Sequence, residues 1–336
     1  MATIIYPPTI NFNWLYQRPQ QLLSRMAERN YTVYYVNKSF DDSYNRGIIE
    51  VRKNLYIVNG VDIGSVKFRE IPIVWISYPP NYNFLKMFKK KYVIFDSIDY
   101  PSEEFTEWKL NFEEVQKAAN IVFASSEKLF NINIKVNKRT FLLPNGADFE
   151  HFKKASKIFS ERPIDLPGDK PIVGYIGALA TWIDWDLVDY IALKCPEYNF
   201  VYIGPNLNTK KVPIRKNIFY LGEKKYDVLP NYLQYFDVTI IPFKVTTMTE
   251  GADPIKMYEY LSAGKQIVSS KLPSIIKCDG IYAANNKEEF AYLIKKAIEN
   301  VSVVKKEKLM EIARENSWDK RAEYADRIIR YYLVYK

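Results

Sequence analysis

Short apolar runs alternate with helical patterns along nearly the whole chain, and this alternation restricts the fold more than any other feature. "TIIYP" precedes the helical stretch "RPQQLLSRMAER", and "YTVYYV" follows it. "IPIVWIS", "KYVIFD" and "NIVFAS" are further apolar runs, the last preceded by the helical pattern "EEFTEWKLNFEEVQKAA". Runs this apolar fit strands covered on both faces. Strands that alternate with helices predict an α/β fold with a mainly parallel sheet.

A second such series begins with "PIVGYIG" and continues through "NFVYIG", "NIFYLG", "DVTIIPF" and "KQIVSS". Between the two series, residues 153–170 carry no clean periodicity and two prolines, which reads as a linker. The expected organisation is a domain over 1–152, a linker over 153–170, a domain over 171–316 and a closing helix over 317–336. A chain of 336 residues accommodates two domains of ordinary size. In open parallel sheets ligands bind beyond the carboxyl ends of the strands, so the loops there are the places to look for chemistry.

Composition removes several function classes. The only histidine is His151, which excludes a histidine-pair metal site and disfavours a Ser-His-Asp hydrolase. Cys195 and Cys278 stand in no metal or redox spacing and read as buried thiols of a reducing compartment. The start lacks the pattern of a signal peptide, and no apolar run has the length of a membrane span, so a cytoplasmic protein is expected. The net charge of +9 fits nucleic acid, an anionic membrane or an anionic small substrate. No nucleic-acid motif accompanies the charge, and nucleic acid is not expected as a partner. One basic cluster, "FLKMFKKKYVIF", suits peripheral contact with an anionic membrane.

The most informative helix lies in "GADPIKMYEYLSAGKQIVSS", residues 251–270. Asp253 is expected to cap it, Pro254 to take its first position, and Gly264 to close it. Lys256 and Glu259 are three apart and share a face. A lysine in the first turn opposes the helix dipole, unless an anion sits there with it. A diphosphate supplies such an anion, and paired sugar hydroxyls give the neighbouring carboxylate a partner. The plainer alternative is an exposed ion pair between the two side chains. Gly177 and Gly222 end apolar runs in "VGYIGAL" and "YLGEKKY", as close backbone approach to a ligand requires. "IDWD" contains the spacing Asp184–Asp186, read as the start of a helix rather than as a metal site. In the first half, Gln17 and Arg18 precede Pro19 at a helix start, where Arg18 is placed to meet an anion. Asp96 and Asp99 follow a buried strand and are candidate bases for an attacking hydroxyl.

"PNGADFEHF", "VGYIG" and "DPIKMYEYLSAGKQIVSS" together resemble the GT-B glycosyltransferases, in particular the nucleotide-sugar-dependent group that builds bacterial cell-surface polysaccharides. "NWLYQRPQQLLSRMAERNYTVYYV" and "VIFDSIDYPSEEF" resemble a subgroup that includes teichuronic-acid-type transferases. The resemblance implies two Rossmann-like domains facing across a cleft. The C-terminal one would bind the nucleotide sugar, expected to be UDP-linked, and the N-terminal one a glycan or lipid-linked acceptor. It also implies a last helix that returns to the first domain, and neither metal nor cofactor. Glu259 matches the second glutamate of the family's E-x7-E motif, which usually holds the ribose, while the first falls on Gly251. The family's Arg and Lys are absent from "GALATWIDWD", which leaves Lys256 as the main positive charge. Retention or inversion stays open, with Asp99 or Asp96 as base for an inverting enzyme. The alternatives are a nucleotide-sugar epimerase of the same fold and a degenerate transferase that serves as a partner in glycan assembly.

Overall fold

The computed structural model describes residues 2–207, 209–276, 279–300 and 303–334. The chain divides into two compact units. One comprises Met1–Asn145, Gly251–Asp253 and Trp318–Lys336, the other Gly146–Glu250 and Pro254–Ser317.

The first unit holds an eight-stranded sheet: β1 (Thr3–Tyr6), β2 (Thr32–Val36), β3 (Gly47–Arg52), β4 (Leu55–Asn59), β5 (Ile73–Ile76), β6 (Tyr92–Ser97), β7 (Ile121–Ala124) and β8 (Thr140–Leu142). Their spatial order is β3-β4-β2-β1-β5-β6-β7-β8. Every neighbouring pair is parallel except β3 with β4. The second unit holds six parallel strands: β9 (Ile172–Ile176), β10 (Asn199–Ile203), β11 (Ile218–Tyr220), β12 (Val238–Ile241), β13 (Ile267–Ser270) and β14 (Ile281–Ala284). Their order is β11-β10-β9-β12-β13-β14, that of a doubly wound sheet. The strand order reverses at β1 in one sheet and at β9 in the other. The central strands β5, β7, β9, β10, β12 and β13 are buried at every residue, which is why their sequences are apolar without alternation.

Several local expectations need revision. "EEFTEWKLNFEEVQKAA" is not one helix. A 3-10 segment, Glu103–Lys109, is followed by a helix, Phe112–Ala118, and Asn111 between them has φ 61°. The antiparallel hairpin β3–β4 and strand β14 went unread: β3 and β14 are partly exposed edge strands without a continuous apolar signature, whereas β4 is buried but offers only the short run "LYIV". Residues 153–170 lie wholly in the second unit, where Ala155 and Leu166 are buried in its core. The helix Trp318–Ile329 belongs to the first unit. There Trp318 is buried, and Tyr31 donates its hydroxyl hydrogen to Asp326 at 2.7 Å. Burial pushes the Cys195 thiol up to about 11, so it is inert packing; Cys278 lies outside the described residues.

The helix read from residues 251–270 spans Ile255–Ser262. Its end matches the expectation: Gly264, at φ +65°, donates to the Leu261 carbonyl, and Lys265 donates to the Tyr260 carbonyl, a complete Schellman closure. A Cβ at Gly264 would also stand 2.4 Å from Cγ of Lys306. Gly264→Ala is therefore expected to cost about 1–2 kcal/mol from the left-handed backbone alone. Urea unfolding of the variant against wild type measures this, and an unchanged midpoint would contradict it.

Candidate functional site

In the second unit the chain reverses at β9, and the loops after β9 and β12 flank that switch point. Gly177 follows β9, Gly204 follows β10, and Gly222 lies just beyond β11. They form a staircase of close backbone contacts. Gly177 donates its N–H to the Ile203 carbonyl at 2.8 Å, and Gly204 donates to the Gly222 carbonyl at 2.9 Å. A Cβ on Gly204 would stand 2.0 Å from the Gly177 oxygen. Backbone packing alone thus requires the glycine at 204, whereas a Cβ at Gly222 would meet no atom within 4 Å.

Gly177 has a second role. Its φ is +152°, and a Cβ there would meet Cε of Lys256 at 2.1 Å and Nζ at 2.5 Å. Lys256 therefore lies across the glycine, and only the missing side chain leaves it room. Its ammonium is 5.4 Å from the ring centre of Tyr175 and 5.9 Å from that of Phe243. Two aromatic faces attract a cation and shield it from water. Burial pulls the Lys256 pKa down, and only Glu259 opposes this. Glu259 is likewise pushed up to about 7 by burial, with Lys256 drawing it down and Asp148 adding to the rise. Neither side chain makes a hydrogen bond or ion pair to another described residue, so the expected alternative of a simple ion pair is not formed. A half-buried cation and a half-buried carboxylate left this way are poorly solvated and poised for a ligand.

The start of this helix differs from expectation. Pro254 is the N-cap rather than the first helical residue, and no side chain caps the helix. Asp253, expected as the cap, is turned into the first unit, where its carboxylate accepts from the Asn145 N–H at 2.6 Å. Without a side-chain cap, the first amides of the helix retain their capacity to bind an anion.

Asp148 was missed by sequence reasoning. It accepts from the Tyr226 hydroxyl at 3.4 Å, and Tyr226 stacks on His151 with ring centres 4.5 Å apart. The signal was present in "PNGAD", but an aspartate before a short helix reads equally well as a cap. Asp184, of the "IDWD" stretch, caps the helix Trp185–Lys194 by accepting from Leu187 N–H at 3.0 Å. Among the described residues no group of three or more His, Cys, Asp or Glu side chains is arranged to hold a metal ion.

In the first unit, two candidates are bound to each other. Arg18 is 2% exposed and Asp96 1%. Arg18 donates from Nη2 to Oδ1 of Asp96 at 2.7 Å and from Nε to Oδ2 at 3.0 Å, while its Nη1 donates to Oδ1 of Asn145. The guanidinium also stacks over Trp318. Arg18 is therefore a buried structural cation and not the exposed anion contact expected, and Asp96 is committed to it. Gln17 serves as N-cap of the helix Arg18–Glu28. Asp99 differs from both. It is half-buried, has no hydrogen bond or ion pair among the described residues, and is pushed up to about 6 by burial, with Arg18 pulling the other way. Such a carboxyl exchanges its proton near neutral pH. Gly251, where the resembled motif has a glutamate, is filled by its neighbours: a Cβ there would stand 2.9 Å from Cβ of Tyr100.

Two predictions follow from these environments. Arg18→Met should destabilise the protein by about 3–5 kcal/mol, because it strands the Asp96 carboxylate in the core. The double variant Arg18→Met/Asp96→Leu should recover much of that loss in chemical denaturation, and additive losses would contradict the pairing. For Glu259, the folded-state value of about 7 lies above the ordinary 4.5, so the folded protein holds the proton more tightly than the unfolded chain. That contribution is present below about pH 4.5 and is lost as pH rises through 7. Glu259→Gln should therefore gain melting temperature relative to wild type between pH 5 and 8, and a constant difference across that range would refute the burial.

Comparison with known proteins bears on the fold and on the class of the second unit. Residues 170–300 match the family described as glycosyl transferases group 1. A Bacillus subtilis protein, TuaH, provisionally named a teichuronic acid biosynthesis glycosyltransferase, is 25% identical over 219 residues, 61% of this chain and 55% of its own length. The chain thus spans little more than half of that curated relative. Sucrose-phosphate synthase from Thermosynechococcus elongatus superposes over the whole of both chains with a TM-score of 0.76 at 13% identity. The structure of Anabaena HepE in complex with UDP-glucose gives 0.71 at 12% identity, over 98% of this chain and all of HepE. Residues 170–300 are thus similar to the glycosyl transferases group 1, and the chain has the fold of the GT-B glycosyltransferases.

Proposed function

We propose that the protein is a glycosyltransferase that moves a sugar from a nucleoside diphosphate, with UDP as the favoured nucleotide, to a cell-surface glycan or lipid-linked acceptor. The observation that carries this reading is Lys256. It is a half-buried ammonium without an anionic partner in contact, held over Gly177 in the first turn of an uncapped helix. In this reading the diphosphate lies against Lys256 and the adjacent amides, and Glu259 accepts the ribose hydroxyls. HepE holds UDP-glucose on the same fold, which supports the donor class. The negative charge that develops on the leaving diphosphate is then met by fixed donors in a partly desolvated site. Metal is not required in this reading, because the ammonium and the helix start carry the neutralisation.

The first unit supplies the acceptor side. Asp99 is the base in this proposal, since Asp96 is tied to Arg18 whereas Asp99 has a carboxyl poised near 6. It takes the proton of the attacking hydroxyl as the new glycosidic bond forms and the bond to the diphosphate breaks. This role corresponds to an inverting displacement.

The test uses UDP binding and turnover together. Lys256→Ala should weaken UDP by about 1.5–3 kcal/mol, roughly 10- to 150-fold, the scale of a charged hydrogen bond. Asp99→Asn should leave UDP affinity unchanged in calorimetry and abolish most transfer. Undiminished UDP affinity in Lys256→Ala would remove the lysine from the site, and full turnover in Asp99→Asn would remove the base.

A further inference from the structure

A cavity of about 550 Å³ opens in the first unit, at the amino ends of its central strands. Tyr92 and Val93 begin β6, Asn120 immediately precedes β7, and Ile71 lies just before β5. This is the edge of the sheet opposite the one that carries Asp99, so the cavity is separate from the residues assigned to chemistry. Its lining includes Lys86, Lys89, Lys90 and Lys91 and no acidic residue.

The local fold explains why these lysines gather. Pro79–Met87 forms a 3-10 segment that buries Leu85 and leads to the buried Phe88. Lys91 donates from Nζ to the Phe88 carbonyl at 2.9 Å, which closes the turn into β6. Lys86, Lys89 and Lys90 are left exposed, and none forms an ion pair with a described residue. Neighbouring charges do not neutralise them. Glu113, on the helix that packs against this segment, is engaged by Lys117 at 2.5 Å, and Glu70 lies beside Ile71 but outside the lining. One apolar side chain of the lining is exposed beside the lysines: Ile71, at 41%. An exposed apolar side chain beside ammonium groups that have no ion-pair partner matches a surface whose anions overlie hydrocarbon.

We infer that this basic face docks on an anionic phospholipid bilayer, with Lys86, Lys89 and Lys90 on the headgroup phosphates and Ile71 entering the interface. The inference deepens the proposed function by naming the surface on which a lipid-linked acceptor would be met, and it rests on that reading only for its purpose. Among the described residues no helix is long and apolar enough to cross a membrane, so attachment through this face is reversible surface binding.

The experiment is co-sedimentation of the full chain with vesicles of phosphatidylcholine alone and of phosphatidylcholine with 30% phosphatidylglycerol. The protein is expected to bind only the anionic vesicles and to be released by salt. Each lysine near such a surface is worth about 1 kcal/mol, a factor of about five, so Lys89→Ala/Lys90→Ala should lower partitioning about 25-fold. Ile71→Asp should also lower it, whereas Lys210→Ala/Lys211→Ala, a control in the second unit, should not. Three results would each overturn the inference: no preference for anionic vesicles, unchanged binding by Lys89→Ala/Lys90→Ala, or complete competition by millimolar inorganic phosphate at constant ionic strength. The last outcome would identify a small-anion pocket instead. The thermal response to UDP is measured on the same variants. Its loss in wild type would count against the glycosyltransferase reading and leave the vesicle result standing on its own.

Discussion

The central constraint of the second unit is the placement of one ammonium group. Lys256 occupies space that any side chain at position 177 would take, and two aromatic rings fix its height above the sheet. The arrangement needs a glycine at the end of β9, a tyrosine one strand position before Ile176, and a helix that starts immediately after the loop from β12. A doubly wound sheet brings these three together because its order reverses at β9, which opens a crevice between the loops on either side. The fold therefore supplies the position, and a handful of residues convert it into a cation site.

That site is held at a cost to the folded protein. Lys256 and Glu259 are both shifted toward their neutral forms by burial, and neither is relieved by the other through a direct contact. Stability would be served by filling the space with apolar side chains. A ligand that brings negative charge to the lysine and hydroxyl groups to the glutamate offsets both penalties at once. The same polar chemistry is used differently in the first unit. Arg18, Asp96, Asn145 and Asp253 saturate one another in the core and fasten the segment Gly251–Asp253, from which the chain enters the Lys256 helix. One set of charged residues is satisfied and structural, while the other is unsatisfied and available.

Much of the fold was legible in the sequence because doubly covered strands must be apolar along their length. "IPIVWIS", "NIVFAS", "DVTIIPF" and "KQIVSS" announce β5, β7, β12 and β13 on that ground alone. The hairpin of β3 and β4 and the strand β14 were not legible. β3 and β14 are edge strands whose burial is not continuous, and β4, though buried, offers only the short run "LYIV". The break at Asn111 was hidden for another reason, since a left-handed asparagine inside a helical pattern leaves no mark on its periodicity. Of the candidate site, the grouping of Lys256 with Glu259 was readable from their shared helix face, and the need for a glycine at 177 from its place after a strand.

By itself the sequence determined the α/β class, the parallel sheets and the conflict between a first-turn lysine and its helix. These follow from local rules of periodicity, capping and dipole that act over a few residues. Only the tertiary structure decided which charges are free to act. Arg18 and Asp96 are seventy-eight positions apart, and nothing local shows that they meet in the core and silence each other. Lys256 and Gly177 are just as remote, and their contact turns an awkward lysine into a poised one. Whether a charged group is paired or available depends on burial and on partners brought from other strands, and the packing of the sheet sets both.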